Sequence, residues 1–322
     1  MYYSILHKTR FRYSAPVSES VTEVRMQPRS EGAQRCLSFK LTVSPSARVS
    51  SYSDNYGNTV HHFDIPAPHK TTTISAEAIV ILPPPPPLPK ALSTSAWADL
   101  DALTWAEDHW DFLVPSQFAL ATPLIERLAT ELEVCRRDDP LTVLRELTER
   151  MYQTFAYDPE HTEVDSPIDL ALESRKGVCQ DFAHIMITMV RNLGIPCRYV
   201  SGYLFHRSED HDRSEQDATH AWVEALLPEL GWVGFDPTNN LVAGGRHIRT
   251  AVGRDYADVP PTKGVFKGRA ESHLAVGVKV APTEAPIPDE EVNPRPMGST
   301  PPPPDDAVRQ GIEALEAQQQ QQ

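Results

Sequence analysis

Residues 177–184 contain a cysteine at the point where a loop turns into a helix. Beyond it, apolar residues recur at the spacing of a single helix face, namely Phe182, Ile185, Met186, Met189, Val190 and Leu193. Gly194 and Pro196 follow, and this order is typical of a helix end. The pattern therefore predicts one α-helix that carries Cys179 at or beside its N-terminus.

A cysteine in this position has two interpretations. The unpaired N–H groups and the positive dipole end of a helix start stabilise an anion, and the thiolate is the nucleophilic form of cysteine. A small, buried thiol that only packs in a core is the other interpretation. The stretch by itself leaves both open, so the remainder of the chain has to decide between them.

Composition limits the classes of protein and partner. The 322 residues are enough for two domains, and the net charge of −14 argues against a nucleic-acid partner, which requires a basic patch. We expect no membrane partner, since the longest apolar runs fall short of the ~20 residues of a membrane span. The first eight residues lack the basic and apolar regions of a signal peptide.

The cysteines favour a reducing compartment. The chain has four of them, Cys36, Cys135, Cys179 and Cys197. They are far apart and form neither CxxC pairs nor the dense pattern of a disulfide framework. We therefore expect a cytoplasmic protein.

Residues 1–82 predict an N-terminal antiparallel β-sandwich. Short stretches rich in β-branched and aromatic residues alternate with a period of two and are separated by turn signals such as residues 54–58. Residues 83–90 contain an unbroken proline run and predict an extended, semi-rigid linker.

Beyond the linker the pattern becomes mixed. Residues 91–281 predict a core of helices and strands, which includes closing strands such as residues 273–280. Residues 282–322, rich in proline and glutamine, predict a disordered tail. The fold class is therefore α+β.

A second chemical signal lies in residues 219–238. Two strands around a proline-containing turn predict an antiparallel hairpin, and we expect Leu226 to pair with Leu230. His220 and Asp236 differ by an even number, so a hairpin without a bulge places both side chains on one face. Gly234 leaves room between them. The pair is either an ordinary contact between strands or a base oriented by a carboxylate, for which Cys179 is the candidate nucleophile.

Four ordered blocks carry a family resemblance. They read Gly-Val-Cys-Gln-Asp-Phe-Ala-His, Gly-Ile-Pro-Cys-Arg-Tyr-Val-Ser-Gly-Tyr, Thr-His-Ala-Trp-Val-Glu and Gly-Trp-Val-Gly-Phe-Asp-Pro-Thr-Asn. In this order they resemble the bacterial transglutaminase-like superfamily over residues 140–255. The strands before them look like the N-terminal β domain that often precedes this core. The resemblance implies a papain-like fold, in which a helix carrying the cysteine packs on an antiparallel sheet.

The resemblance also implies chemistry. By position, Cys179, His220 and Asp236 match the family's catalytic triad. The implied reaction is acyl transfer through a thioester on the peptide bond or carboxamide of a peptide or protein substrate. Gln180 and Trp222 are possible site-lining residues, with packing favoured for Trp222. No cofactor and no metal are expected, and calcium dependence is not carried over, because the calcium-loop pattern of the animal enzymes is missing.

Two other functions stay open at this point. One is a catalytically silent binding module that keeps the papain-like fold, although all three triad positions are retained. The other is a metal site that uses Cys179 and a nearby histidine. The sequence does not separate peptidase or amidase activity from transglutaminase activity.

Overall fold

The computed structural model describes residues 1–106, 109–162, 166–207 and 209–284. Its strands are β1 (Tyr2–Val17), β2 (Glu19–Val24), β3 (Arg35–Ser44), β4 (Ser50–Ser53), β5 (Thr59–Ile65), β6 (His69–Ile81), β7 (Ala156–Tyr157), β8 (Lys176–Gly177), β9 (Cys197–Leu204), β10 (His220–Leu227), β11 (Gly231–Asp236), β12 (Leu241–Val242), β13 (His247–Gly253), β14 (Thr262–Lys267) and β15 (Ser272–Thr283). Its α-helices are α1 (Ala96–Ala106), α2 (Pro123–Glu131), α3 (Pro140–Thr154), α4 (Ile168–Ser174) and α5 (Cys179–Asn192).

Two antiparallel four-stranded sheets form the predicted N-terminal sandwich. Their strand orders are β15-β1-β6-β3 and β14-β2-β5-β4. Apolar side chains from both sheets, among them Val24, Phe63 and Ile74, pack together in one buried cluster. The period-2 alternation of the sequence is thus the alternation between this cluster and solvent.

The last two strands differ from the expectation. Residues 273–280 are strand as predicted, but the prediction that they close the core is wrong. β15 instead pairs with β1 along its whole length, from Tyr2 opposite Thr283 to Tyr13 opposite Ser272, and β14 pairs with β2. The chain therefore returns to the N-terminal sandwich after it has completed the core.

The core has a five-stranded antiparallel sheet in the order β12-β11-β10-β9-β13. Helix α5 packs on β9 and β10, while α2, α3 and α4 contact its opposite side. As a result α5 is buried all round and not only on the predicted apolar stripe, and even His184 and Thr188 are buried. The fold class is the predicted α+β arrangement, with helices on an antiparallel sheet.

The hairpin of β10 and β11 has the predicted strands but a different register. Leu226 lies opposite Trp232, two residues away from the expected Leu230. The turn contains Glu229 and Gly231 with φ values of 64° and 70°, a conformation that glycine adopts at little cost. A shift of two residues preserves parity, so His220 and Asp236 still share a face, now as diagonal neighbours.

Side-chain amides of the sandwich domain fasten the outer edge of β13. Gln34 donates to the carbonyl of Arg249 and accepts from its N–H, both at 2.9 Å. Asn58 does the same with Val252, both at 2.8 Å. These amides substitute for a neighbouring strand, since they satisfy edge groups that would otherwise be unpaired in the interior.

A buried ion network joins the same two parts of the molecule. Glu224 on β10 is fully buried and receives both Arg198 and Arg249. Arg198 also reaches Glu31, which precedes β3, at 3.1 Å. Because a buried charge without a partner is strongly destabilising, these four side chains hold the sandwich and the core together as a set.

The remaining segments complete the described chain. The proline run within residues 83–90 contains neither helix nor strand and passes over the turn at Gly244 and Gly245. Within the described ranges, no helix has the length and apolarity that a membrane crossing requires. From residue 285 onward, the predicted tail lies outside the described residues. The tail was expected to start at residue 282, but β15 extends to Thr283.

The close approach at Gly202 makes a stability prediction. A Cβ atom there would lie 2.7 Å from the Trp222 ring and would collide with the Ile248 carbonyl. We expect Gly202→Ala to destabilise the protein by about 1–3 kcal/mol, the usual cost of overpacking. Chemical denaturation measures the change, and Gly277→Ala, whose Cβ would meet nothing within 4 Å, is the matched control. Equal stability of the two variants would contradict this account of Gly202.

Candidate active site

Cys179 is the first residue of α5, as the sequence predicts. The helix start is fixed by Asp181, whose carboxylate accepts from the Val178 N–H at 2.8 Å and from the Thr162 hydroxyl at 2.6 Å. Gly177 is required there, because a Cβ atom would lie 2.6 Å from the same carboxylate. Cys179 thus lies where the first N–H groups of the helix have no acceptor within the helix.

His220 and Asp236 meet at the end of the β10–β11 hairpin. Nε2 of His220 lies 2.8 Å from Oδ2 of Asp236. Both side chains are buried, with 2% and 0% of their surface exposed. The predicted same-face placement is therefore a direct hydrogen bond between two buried side chains.

Four further donors surround the Asp236 carboxylate. Oδ1 accepts from the N–H groups of Thr238 and Asn239, at 3.0 and 3.3 Å. Oδ2 accepts from the Asn239 amide at 2.8 Å and lies 3.1 Å from Nε2 of His247. Burial opposes the ionised form, but His220 and then His247 outweigh it and lower the pKa of Asp236 far below its ordinary value.

The other ring nitrogen of His220 is the one available to Cys179. Nδ1 is buried and has no hydrogen-bond partner of good geometry among the described residues. Burial opposes the imidazolium, but the charge and hydrogen bond of Asp236, followed by the interaction with Cys179, raise the pKa of His220 to about 10. The three predicted residues are therefore brought together, with His220 between the thiol and the carboxylate.

The structure also places the two expected lining residues. Trp222 is fully buried, and its ring stacks on His220 at a centroid distance of 6.0 Å and an angle of 27°. It packs beneath the imidazole, which agrees with the favoured interpretation. Gln180 is buried next to Cys179 on α5.

Three residues around this site were not found from the sequence. His247 and Asn239 contact Asp236, and Tyr157 lies opposite Gly177 in the short β7–β8 pair. Burial and then Cys179 raise the pKa of Tyr157, which places its hydroxyl within electrostatic range of the thiol. Only Asn239 has a local signal, since it follows Asp236 by three residues in the fourth block, whereas the other two approach through tertiary structure.

The polar loop at residues 206–218 is tied to the site. The N–H groups of Arg213 and Ser214 donate to the Asn239 side chain at 2.7 and 3.2 Å. Asp212 accepts from both terminal nitrogens of Arg246. Asp210 and Asp212 therefore neutralise the Arg246 guanidinium, and the loop supports Asp236 through Asn239.

The histidines around Asp236 also resemble a metal-binding group in spacing. One ligand atom each from His220, Asp236 and His247 lies within 4.8 Å of the others. The same atoms are joined by the hydrogen bonds already described, with Oδ2 of Asp236 shared between both rings. The candidate ligand atoms, Nε2 of each ring and Oδ2 of Asp236, are thus paired with one another.

Comparisons with known proteins agree with this architecture. The family model of the bacterial transglutaminase-like N-terminal region matches residues 3–81, and that of the transglutaminase-like superfamily matches residues 128–237. An uncharacterized protein of Mycobacterium tuberculosis is 35% identical over 309 residues, which cover 88% of this chain and 93% of the relative. One from Mycobacterium leprae is 32% identical over 279 residues, 86% of this chain and 97% of the relative.

Two further proteins match a part of this chain or its fold. A protein-glutamine gamma-glutamyltransferase of Pseudomonas aeruginosa is 33% identical over 121 residues, 36% of this chain and 18% of that protein. The crystal structure of a candidate cysteine protease from Cytophaga hutchinsonii superimposes with a TM-score of 0.69 at 22% identity, over 88% of this chain and 92% of that one. This chain belongs to the transglutaminase-like superfamily and carries its bacterial N-terminal region.

The charge state of His220 gives a testable pH dependence. Its pKa rises from 6.5 in the unfolded chain to about 10, so the folded protein retains a proton that the unfolded chain releases between these values. The contribution of His220 to stability is complete below pH 6.5 and is lost as the pH rises towards 10. Nitrogen NMR of labelled histidine should show His220 protonated throughout this interval and His184, whose pKa is lowered to about 3, neutral. A neutral His220 at the lower end of the interval would contradict the assignment.

Proposed function

We propose that this protein is a cysteine-dependent acyl-transfer enzyme. Cys179 is the nucleophile, His220 is the acid and base, and Asp236 orients His220. The observation that carries the proposal is the 2.8 Å contact of the buried His220 and Asp236, combined with the electrostatic coupling of His220 to a cysteine at a helix start. Membership of a superfamily with transglutaminase and cysteine-protease activities supports the same class.

The first half of the reaction uses Cys179 as a thiolate and His220 as an imidazolium. The Cys179 thiolate attacks the carbonyl carbon of a carboxamide or peptide, and the carbonyl oxygen becomes an oxyanion. The N–H of Cys179 has no acceptor within the helix and is a suitable donor to that oxyanion. The His220 imidazolium gives its proton to the leaving amine as the carbon–nitrogen bond breaks, and a thioester remains on Cys179.

The second half regenerates the enzyme. Neutral His220 takes a proton from water or from a primary amine, which attacks the thioester carbon. The carbon–sulfur bond breaks, the thiolate is restored, and the product is an acid or a new amide. Asp236 stabilises the imidazolium whenever it forms, since five hydrogen bonds from four residues keep the carboxylate ionised and fixed.

The molecule that accepts the acyl group from the thioester, an amine or water, decides between transamidation and hydrolysis. The Pseudomonas aeruginosa relative is named as a glutamyltransferase, which favours a glutamine carboxamide as donor and an amine as acceptor. We therefore place transamidation first and hydrolysis second.

A peptide screen distinguishes these outcomes. We expect mass spectrometry of peptide pools incubated with the protein and methylamine to show glutamine residues converted to the methylamide, and without the amine to show slower conversion to glutamate. Cys179→Ala is the control and should show neither product. Cleaved peptides in place of both would identify a peptidase, and no Cys179-dependent product in any pool would favour a silent binding module.

Replacement of the orienting carboxylate should lower turnover more than binding. Asp236→Asn keeps the size of the side chain but removes the charge that stabilises imidazolium. We expect kcat to fall by about 10²- to 10⁴-fold, the range of general acid–base contributions, with a smaller change in KM. Asp64→Asn, on an exposed position of β5, controls for the loss of one negative charge. Equal kcat in the two variants would contradict the role of Asp236.

A further inference from the structure

His247 contacts the carboxylate of the site from a strand that no family model covers. It is the first residue of β13, and the superfamily match ends at residue 237. Its side chain is buried, with 3% of its surface exposed, and Nε2 lies 3.1 Å from the same Asp236 oxygen that binds His220. Two imidazoles therefore share one carboxylate oxygen.

The surroundings fix the tautomer of His247. The N–H of Gly244 donates to Nδ1 at 3.3 Å, so this nitrogen acts as the acceptor. Nε2 consequently carries the proton and donates it to Asp236. Burial lowers the pKa of His247 and outweighs Asp236, while His220 and Arg246 act in the same direction as burial. His247 is thus a neutral donor beside a charged pair.

The N-terminal sandwich holds both ends of the segment that carries His247. Before it, the Tyr3 hydroxyl donates to the Gly245 carbonyl at 2.7 Å. Pro84 and Pro85 of the linker pack against Gly245 and Gly244 from outside. After it, Gln34 forms the paired hydrogen bonds with the Arg249 backbone. The distance between Nε2 of His247 and Asp236 is therefore set by contacts with the other domain.

We propose that His247 is a positioning residue that orients Asp236 through a neutral N–H donor, and that the N-terminal domain positions His247. The inference rests on the proposed function, because it assigns a role within that site. The N-terminal region thereby has an indirect part in the chemistry, although its own residues are not members of the triad. His247 acts through Asp236, whereas the partner of Cys179 is His220.

The physical consequence concerns the strength of the His220–Asp236 pair. With the donor present, Asp236 has one orientation and shares part of its charge with His247. Without it, the carboxylate keeps its donors from Thr238 and Asn239 but is less firmly held against His220, and the charge that it no longer shares with His247 favours the imidazolium more strongly. Loss of His247 should therefore slow the Cys179 reaction and also raise the pH at which His220 loses its proton.

The test compares His247→Ala with His247→Gln. Gln retains an N–H donor of similar reach and cannot be protonated. We expect His247→Ala to slow iodoacetamide alkylation of Cys179 by about 10- to 100-fold, the usual effect of losing a partner of a functional side chain, and His247→Gln to recover most of the rate. The alkylation rate is also measured against pH, and the alkaline limb of this profile is the change in rate where His220 loses its proton. In His247→Ala the alkaline limb should move to higher pH, and in His247→Gln it should stay near its wild-type pH.

A matched control separates positioning from simple destabilisation. His7 is also buried and contacts Tyr203 within the sandwich–core contact, away from Asp236. His7→Gln should lower the melting temperature without a shift of the alkaline limb. If His247→Ala and His247→Gln slow alkylation equally with an unshifted limb, His247 is only structural and the proposal is overturned.

The domain part of the proposal has its own variant. Tyr3→Phe removes the hydrogen bond to Gly245 and keeps the ring, so we expect a several-fold slower alkylation of Cys179 and a limb shifted in the same direction as in His247→Ala. A rate and limb equal to wild type in Tyr3→Phe would overturn the role of the N-terminal domain. Failure of the proposed function is recognised separately, because Cys179 in the wild-type protein would then react no faster than Cys135.

Discussion

The buried carboxylate of Asp236 is the interaction on which the site depends. An ionised side chain without surface exposure is strongly unfavourable unless it is fully paired, and here His220, Thr238, Asn239 and His247 supply five hydrogen bonds. These donors come from β10, from the turn after β11 and from β13. The carboxylate is therefore stable only when the hairpin, the turn and the edge strand all reach their final places.

That requirement explains why two domains behave as one compact unit. Residues 1–284 form one compact unit, and several hydrogen bonds between the sandwich and the core are made at β13. Gln34 and Asn58 complete its outer edge, and Glu31 enters the ion network of Arg198 and Glu224. In this account the sandwich is more than an appended module, because it supports the strand from which His247 reaches Asp236.

Local patterns predicted the parts of the structure that depend on neighbours in sequence. The spacing from Phe182 to Leu193 gave α5 and the position of Cys179, and parity alone placed His220 and Asp236 on one face although the register was two residues wrong. The alternation at residues 273–280 specified a strand but not its partner, and β15 pairs with β1. His247 was missed for the same reason, since its distance from Asp236 depends on contacts such as Tyr3 with Gly245.

Site-resolved alkylation tests the central claim most directly. Cys135 is exposed, whereas Cys179 is half-buried and Cys197 is buried with its pKa raised to about 12. Accessibility alone would therefore make Cys135 the fastest of the four thiols. If Cys179 is the nucleophile paired with His220, limiting iodoacetamide should modify it well before Cys135 in the wild-type protein, and His220→Ala should abolish that preference. Preferential modification of Cys135 in the wild-type protein would contradict the account.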